Sequence, residues 1–195
     1  MTDTIVLASG SASRRALLEN AGVPFEVDPA DVDEDAVKAQ FGGAPGELAM
    51  HLAEEKALAV SRRRSGLVIG ADQVLEFDGR AYDKAKDAAE ARSRLDMLSG
   101  KTHWLKGGIA FARDGEIVWR HPSACKMVMR EISPAFLDRY MNVAGDILTK
   151  GVGAYAFEGL GVQLFERVEG SFFAVLGLDL LPTLAELRRQ GALAA

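Results

Sequence analysis

The sequence predicts an α/β fold built on a mixed β-sheet, and three observations lead there. Apolar strand-like runs alternate with helical stretches through the first half of the chain, so the elements interleave and do not segregate. A long apolar stretch over 102–130 then carries Asp114-Gly115 at its middle, the signal of an antiparallel hairpin. The 195 residues are 48% hydrophobic and 26% charged, ordinary for a folded globular chain and unlike a disordered one. No internal repeat, low-complexity tract or linker divides the chain, so one domain over 1–195 is expected.

In chain order, "TIVLAS" (4–9) reads as a short buried strand. "ASRRALLENAG" (12–22) reads as a helix, with Ser11 or Ser13 as N-cap and Gly22 as its stop. "PFEV" (24–27) alternates like a second strand, and "ADVDEDAVKAQFGG" (30–43) opens with an acidic turn. Pro45 begins a helical stretch to about Arg64, with Leu48, Leu52, Ala53, Lys56, Ala57 and Val60 on one side. "GLVIGADQVL" (66–75) reads as an apolar strand interrupted by Gly-Ala-Asp. A helix follows over 87–100, then the hairpin, then a helix opened by Ser133-Pro134. The Gly-rich tail from 151 reads as β-like until the amphipathic helix "LLPTLAELRRQG".

Charge and cysteine content narrow the function. Lys and Arg number 23 against 28 Asp and Glu, a net charge of −5, so no extended nucleic-acid surface is expected. Any polyanion must be held in a local pocket. Cys125 is the only cysteine, which excludes an internal disulfide and a cysteine-built zinc site. No apolar run approaches the roughly 20 residues of a membrane helix. No basic leader with an apolar core opens the chain, so a cytoplasmic protein is expected.

The chemistry concentrates in two stretches. "LASGSASRRALLENAG" (7–22) places Ser9, Ser11 and Ser13, then Arg14 and Arg15, at a strand-to-helix junction. A helix N-terminus offers unpaired N–H groups and a positive dipole end, and serine hydroxyls add donors. Two arginines in that first turn oppose the dipole unless an anion meets them; otherwise they are solvated beside an ordinary cap. "VIGADQV" (68–74) delivers Asp72 at what reads as a strand end, where α/β clefts form, followed by Gln73. Lys56, Lys84 and Lys86 are further cations, each alone reading as a surface residue. No Walker-A pattern is present, against a P-loop kinase or ATPase. His103 reads as structural, and His51 and His121 lack metal-site spacing. Trp104, Trp119, Phe111 and Phe165 read as core or cross-strand contacts, and "SRRRS" (61–65) as a solvated helix end.

In combination these segments resemble the Maf family of nucleotide pyrophosphatases. The resemblance rests on Ser9, Ser11, Arg14, Arg15, Leu17 and Leu18, then Asp33-Glu34, then Glu55-Lys56-Ala57. It continues through Gly70-Ala71-Asp72, Lys84, the Leu98–His103 segment, Gly-Ala-Tyr at 153–155 and Gly-Leu-Gly at 159–161. Ala12, Ala85 and Asp179 stand where the family pattern carries Pro, and 145–155 differs from its usual compact form.

The resemblance implies an α/β fold with a mixed sheet, two lobes and a deep central cleft. It implies hydrolysis of a nucleoside triphosphate between its α and β phosphates, a divalent metal (Mg²⁺ or Mn²⁺), and a homodimer. Carried onto this chain, Asp72, Lys56 and Lys84 become the catalytic candidates, and Asp72 and Glu34 the metal ligands. Asp72 would act as general base or through the metal it helps hold. Ser9, Ser11, Arg14, Arg15, Gln73 and Glu158 become the substrate-binding candidates. Asp72-Gln73 and Glu158 before Gly159 resemble the branch acting on 7-methyl-GTP, whereas the dTTP/UTP branch carries Asp-Thr and a later Gln. Glu158 would accept N–H bonds from a guanine edge and complement the cationic methylated ring. The competing reading is a regulator of cell division that binds a nucleotide without turning it over. Asp72 weighs against it, because a sensor has little use for a carboxylate beside a triphosphate.

Overall fold

The computed structural model describes residues 3–194. Among them is a seven-stranded mixed sheet. Its strands are β1 (Ile5–Leu7), β2 (Glu26–Val27), β3 (Leu67–Phe77), β4 (Arg80–Tyr82), β5 (Thr102–Arg113), β6 (Glu116–Met129) and β7 (Phe165–Glu169). They run in the order β2-β1-β3-β5-β6-β7, with β4 also on β3. β1 is parallel to both β2 and β3, whereas the β3/β4, β3/β5, β5/β6 and β6/β7 pairs are antiparallel. The 102–130 hairpin forms as expected, with positive φ at Asp114 and Gly115, the geometry a two-residue turn requires.

The helices are α1 (Ala12–Asn20), α2 (Glu34–Gln40), α3 (Pro45–Ser61), α4 (Ala88–Leu98), α5 (Pro134–Ala144), α6 (Ile147–Lys150), α7 (Phe172–Val175) and α8 (Leu180–Arg189). Ser11 is the N-cap of α1, its side chain accepting from the Arg14 amide, and Ser133 caps α5 likewise. Three expectations change. The acidic 30–43 segment continues beyond its turn into α2, capped by Asp33. Between 151 and α8 the tail holds one strand, β7, and otherwise short helical turns, including a 3-10 turn at Leu160–Leu164. The strand read as interrupted at Gly-Ala-Asp runs unbroken through β3, so Asp72 lies in mid-strand, paired with Gly108 of β5.

Close approach of a helix explains that glycine. A Cβ at Gly70 would collide with the Ala53 carbonyl and lie 2.7 Å from the Ala57 amide nitrogen, and one at Gly108 would press on Ala49 and Met50. Glycine in both strands therefore lets α3 settle directly onto the sheet. The face beneath α3 is filled by small and branched residues, with Ala53 and Ala57 against Ala110 and Ala112, and Leu48 and Leu52 against Val74. Alternation sends Ile69 and Ala71 to the other face. There they join Leu17, Leu18, Leu178 and Leu187 in one core, while Leu75 and Phe77 join Leu95, Leu98, Leu137 and Tyr140 in a second.

Candidate active site

Between those two cores the sheet has a gap. β1 pairs with Leu67–Ile69 and β4 with Leu75–Phe77 along the edge of β3 away from β5. Gly70 to Val74 lie between the two pairings, so this stretch borders a cleft and no strand covers it. Asp72 thus reaches the cleft through a break in the sheet edge and not at a strand end, as the sequence had suggested. The chain leaving β1 supplies one wall with Ser9 to Arg14, and the chain leaving β4 supplies Asp83, Lys84 and Lys86. The cleft encloses about 860 Å³, within the range of small-molecule sites.

Lys56 stands at the centre. It is buried on α3, with its ammonium 2.5 Å from Asp72 Oδ1 and 2.7 Å from Glu34 Oε1. Asp72 and Lys56 are only 8% and 9% exposed, so each desolvated charge needs its partner. Burial pushes the Glu34 carboxyl up, but the Lys56 hydrogen bond and the charges of Lys56, Lys38 and Lys84 outweigh it and hold it below the ordinary range. Lys38 extends the chain of charges, 2.7 Å from Asp83 and 3.6 Å from Glu34.

The helix-terminus wall is more ordered than a capped turn requires. Ser9 Oγ accepts from the Ser11 amide at 3.3 Å and from Arg14 Nη1 at 3.0 Å, which leaves its own O–H as a donor. Arg14 Nε donates to the Gly177 carbonyl at 2.9 Å, so the guanidinium is tied down beside the cleft. Burial lowers its pKa and the charges of Asp72 and Glu34 oppose that; an arginine remains charged throughout. Ser11 and Ser13 also line the cleft. Arg15 is not brought there: its side chain is 60% exposed and pairs with Glu19 one turn on. Neighbouring helical residues point in different directions, so one arginine of the pair faces in and the other out.

On the remaining wall, Gln73 reaches the cleft, but its amide nitrogen donates to the Ala174 carbonyl at 2.8 Å and so pins α7. Lys84 and Glu158 both line the cleft, Glu158 on an exposed loop. Tyr155 lines the same loop and is held from behind, its hydroxyl 2.7 Å from His103 Nε2. Burial drives the His103 pKa down to about 4, so the ring is neutral. Lys38 and Asp83 carry no motif that marked them in the sequence, and Tyr155 was marked only as the end of Gly-Ala-Tyr, with no role given; Lys38, at i+4 from Glu34 on α2, could have been found had that helix been expected.

Among the described residues no three of His, Cys, Asp and Glu converge as a metal cage. Glu34 and Asp72 are two carboxylates that meet on one ammonium. A magnesium-like ion is commonly held by one or two carboxylates plus substrate phosphates. This donor set therefore fits an ion that arrives with its nucleotide.

Comparison with known proteins finds relatives that cover nearly the whole chain. The 7-methyl-GTP pyrophosphatase of Brucella abortus biovar 1 is 47% identical over 194 residues, covering 97% of this chain and 98% of its own. The nucleoside triphosphate pyrophosphatase of Nitrobacter hamburgensis is 50% identical over 191 residues, covering 97% and 95%. Among solved structures, the Staphylococcus aureus Ham1 protein is a distant likeness, 15% identical with a TM-score of 0.46, covering 95% of this chain and 99% of its own. The family described as Maf-like protein matches residues 4–190, and the chain belongs to that family.

Proposed function

We propose that this chain is a nucleoside-triphosphate pyrophosphatase that cleaves 7-methyl-GTP to the nucleoside monophosphate and pyrophosphate. The observation that carries the reading is the buried Asp72–Lys56 pair, joined by the half-exposed Glu34, opening into a cleft beside Ser9, Arg14 and Lys84. Relatives named 7-methyl-GTP pyrophosphatase and nucleoside triphosphate pyrophosphatase, at 47% and 50% identity, support the reaction class.

The water oxygen attacks the α phosphorus, the α–β bridging P–O bond breaks, and pyrophosphate leaves with the bridging oxygen. Asp72 Oδ1 is engaged by Lys56, which fixes the carboxylate and leaves Oδ2 to accept the attacking water's proton. Arg14, Lys56 and Lys84 donate to the phosphate oxygens and stabilise the charge that spreads over them. Glu34 and Asp72 would hold a divalent metal such as Mg²⁺ or Mn²⁺, which when bound would supply further neutralisation at the phosphates. Glu158 accepts from the guanine N–H groups, and its negative charge complements the cationic methylated base. A homodimer and a cytoplasmic address belong to the same proposal, to be read by light scattering and by cell fractionation.

The test is a turnover screen with Mg²⁺ or Mn²⁺, each common nucleoside triphosphate and 7-methyl-GTP, with products separated by chromatography. Monophosphate and pyrophosphate formed preferentially from 7-methyl-GTP is the expected result. The same products mainly from dTTP or UTP would retain the reaction and remove the role of Glu158. Binding without turnover of any nucleotide would replace the enzyme with a nucleotide-binding regulator.

A further inference from the structure

Arg94, on α4, lies outside the cleft and is only 6% exposed. Its Nη1 donates to two backbone carbonyls, Asp83 at 2.6 Å and Val152 at 2.8 Å. These carbonyls belong to two different cleft loops: the one after β4 that carries Lys84, and the one after α6 that carries Tyr155 and Glu158. Nη2 donates to Glu90 at 3.1 Å, and the other Glu90 oxygen accepts from the Lys86 amide at 3.0 Å. One guanidinium therefore joins two segments far apart in sequence.

A buried guanidinium is a poor way to gain stability, since an apolar side chain of similar volume often packs at no net loss. What it supplies is geometry, because its rigid fork fixes the directions of both hydrogen bonds. Each loop is also pinned a second time. The Asp83 carboxylate is held by Lys38 at 2.7 Å, and the Tyr155 hydroxyl by His103 at 2.7 Å. Between Val152 and Tyr155 the buried Ala154 is held at φ +59°, a conformation that persists only where its surroundings enforce it.

We infer that Arg94 is a positioning residue that fixes the Lys84 loop and the Glu158 loop at one spacing, and so sets how tightly the cleft holds its nucleotide. The nucleotide rests on the function proposed above; the coupling of the loops does not.

The test compares the parent with Arg94→Met, Arg94→Lys and Glu90→Gln, by hydrogen exchange and by steady-state kinetics on the best nucleotide. Arg94→Met is expected to lose protection at 83–86 and 151–159 together while β3 and β5 keep theirs. Its KM should rise about tenfold, because a mis-spaced cleft weakens substrate binding, and kcat should fall with it in so far as Lys84 is displaced from the phosphates. Arg94→Lys should recover part of both effects. Should Arg94→Met not fold, Arg94→Lys and Glu90→Gln must show smaller changes of the same sign at both loops. Loosening of one loop alone, unchanged protection at both, or a fall in kcat at constant KM would overturn the inference. A parent that turns over nothing would sink the proposed function, and the exchange result alone would then decide the coupling.

Discussion

Asp72 and Lys56 form a pair whose two halves the sequence offers separately, as a polar interruption in an apolar strand and a lysine on the apolar side of a helix. Buried on α3 and β3, the Lys56 ammonium holds one Asp72 oxygen at 2.5 Å, which is the geometry of an oriented base. Asp72→Asn should keep nucleotide binding by calorimetry and lose about 10²–10⁴ in kcat, the usual contribution of a general base; turnover at the parent rate would remove that role. The arginine pair shows the limit of motif reading. Arg14 and Arg15 are equivalent on paper, yet Arg14 is tied to Ser9 and Gly177 while Arg15 pairs with Glu19 in solvent. Kinetics should therefore show a much larger rise in KM for Arg14→Ala than for Arg15→Ala, and the reverse order would contradict this placement.

At the scale of elements, the long amphipathic pieces and the short strands β1 and β2 were legible, whereas α2 and the short turns after 151 were not. α3, α4, α5, α8 and the β5–β6 hairpin each carry enough apolar periodicity or turn chemistry to identify themselves. α2 buries none of its residues, so it leaves no periodic signal, and the turns after 151 are too short to show a period. The link from β5 to the cleft loop is a further case, with His103 reading only as a structural histidine. Its pKa of about 4 in the fold lies below the ordinary 6.5. Between those values the unfolded chain binds a proton that the native state refuses, so stability falls as pH drops through this window. The loss approaches roughly 3 kcal/mol at the lower end. Urea unfolding at several pH values should show that slope in the parent and a flatter one in His103→Gln.

For the whole molecule, charge is partitioned rather than uniform. The net charge is −5, yet Arg14, Lys38, Lys56, Lys84, Lys86 and Lys150 converge on the cleft among Glu34, Asp35, Asp72, Asp83 and Glu158. The cleft thus carries six cations against five carboxylates where the whole chain is anionic, and local field decides binding more than net charge does. Raising ionic strength should raise KM for the triphosphate and leave kcat nearly constant, since screening weakens attraction between substrate and cleft. A KM indifferent to salt would mean that the cleft cations are neutralised by their neighbours. No helix among the described residues is long and apolar enough to cross a membrane.

By itself the sequence determined the fold class, the strand-to-helix junction with its serines and arginines, and the carboxylate Asp72 on an apolar strand, which it read at the strand's end. The junction and the carboxylate are each written in one continuous segment, and the fold class in the order of the elements along the chain. Only the tertiary structure decided that Asp72 emerges through a gap between β1 and β4, that Lys56 sits between Asp72 and Glu34, and that Arg94 joins two loops. The reason is physical. Periodicity reports which face of an element is apolar, whereas a buried charge is placed by partners that come from distant segments and meet only when the helix has settled on the sheet.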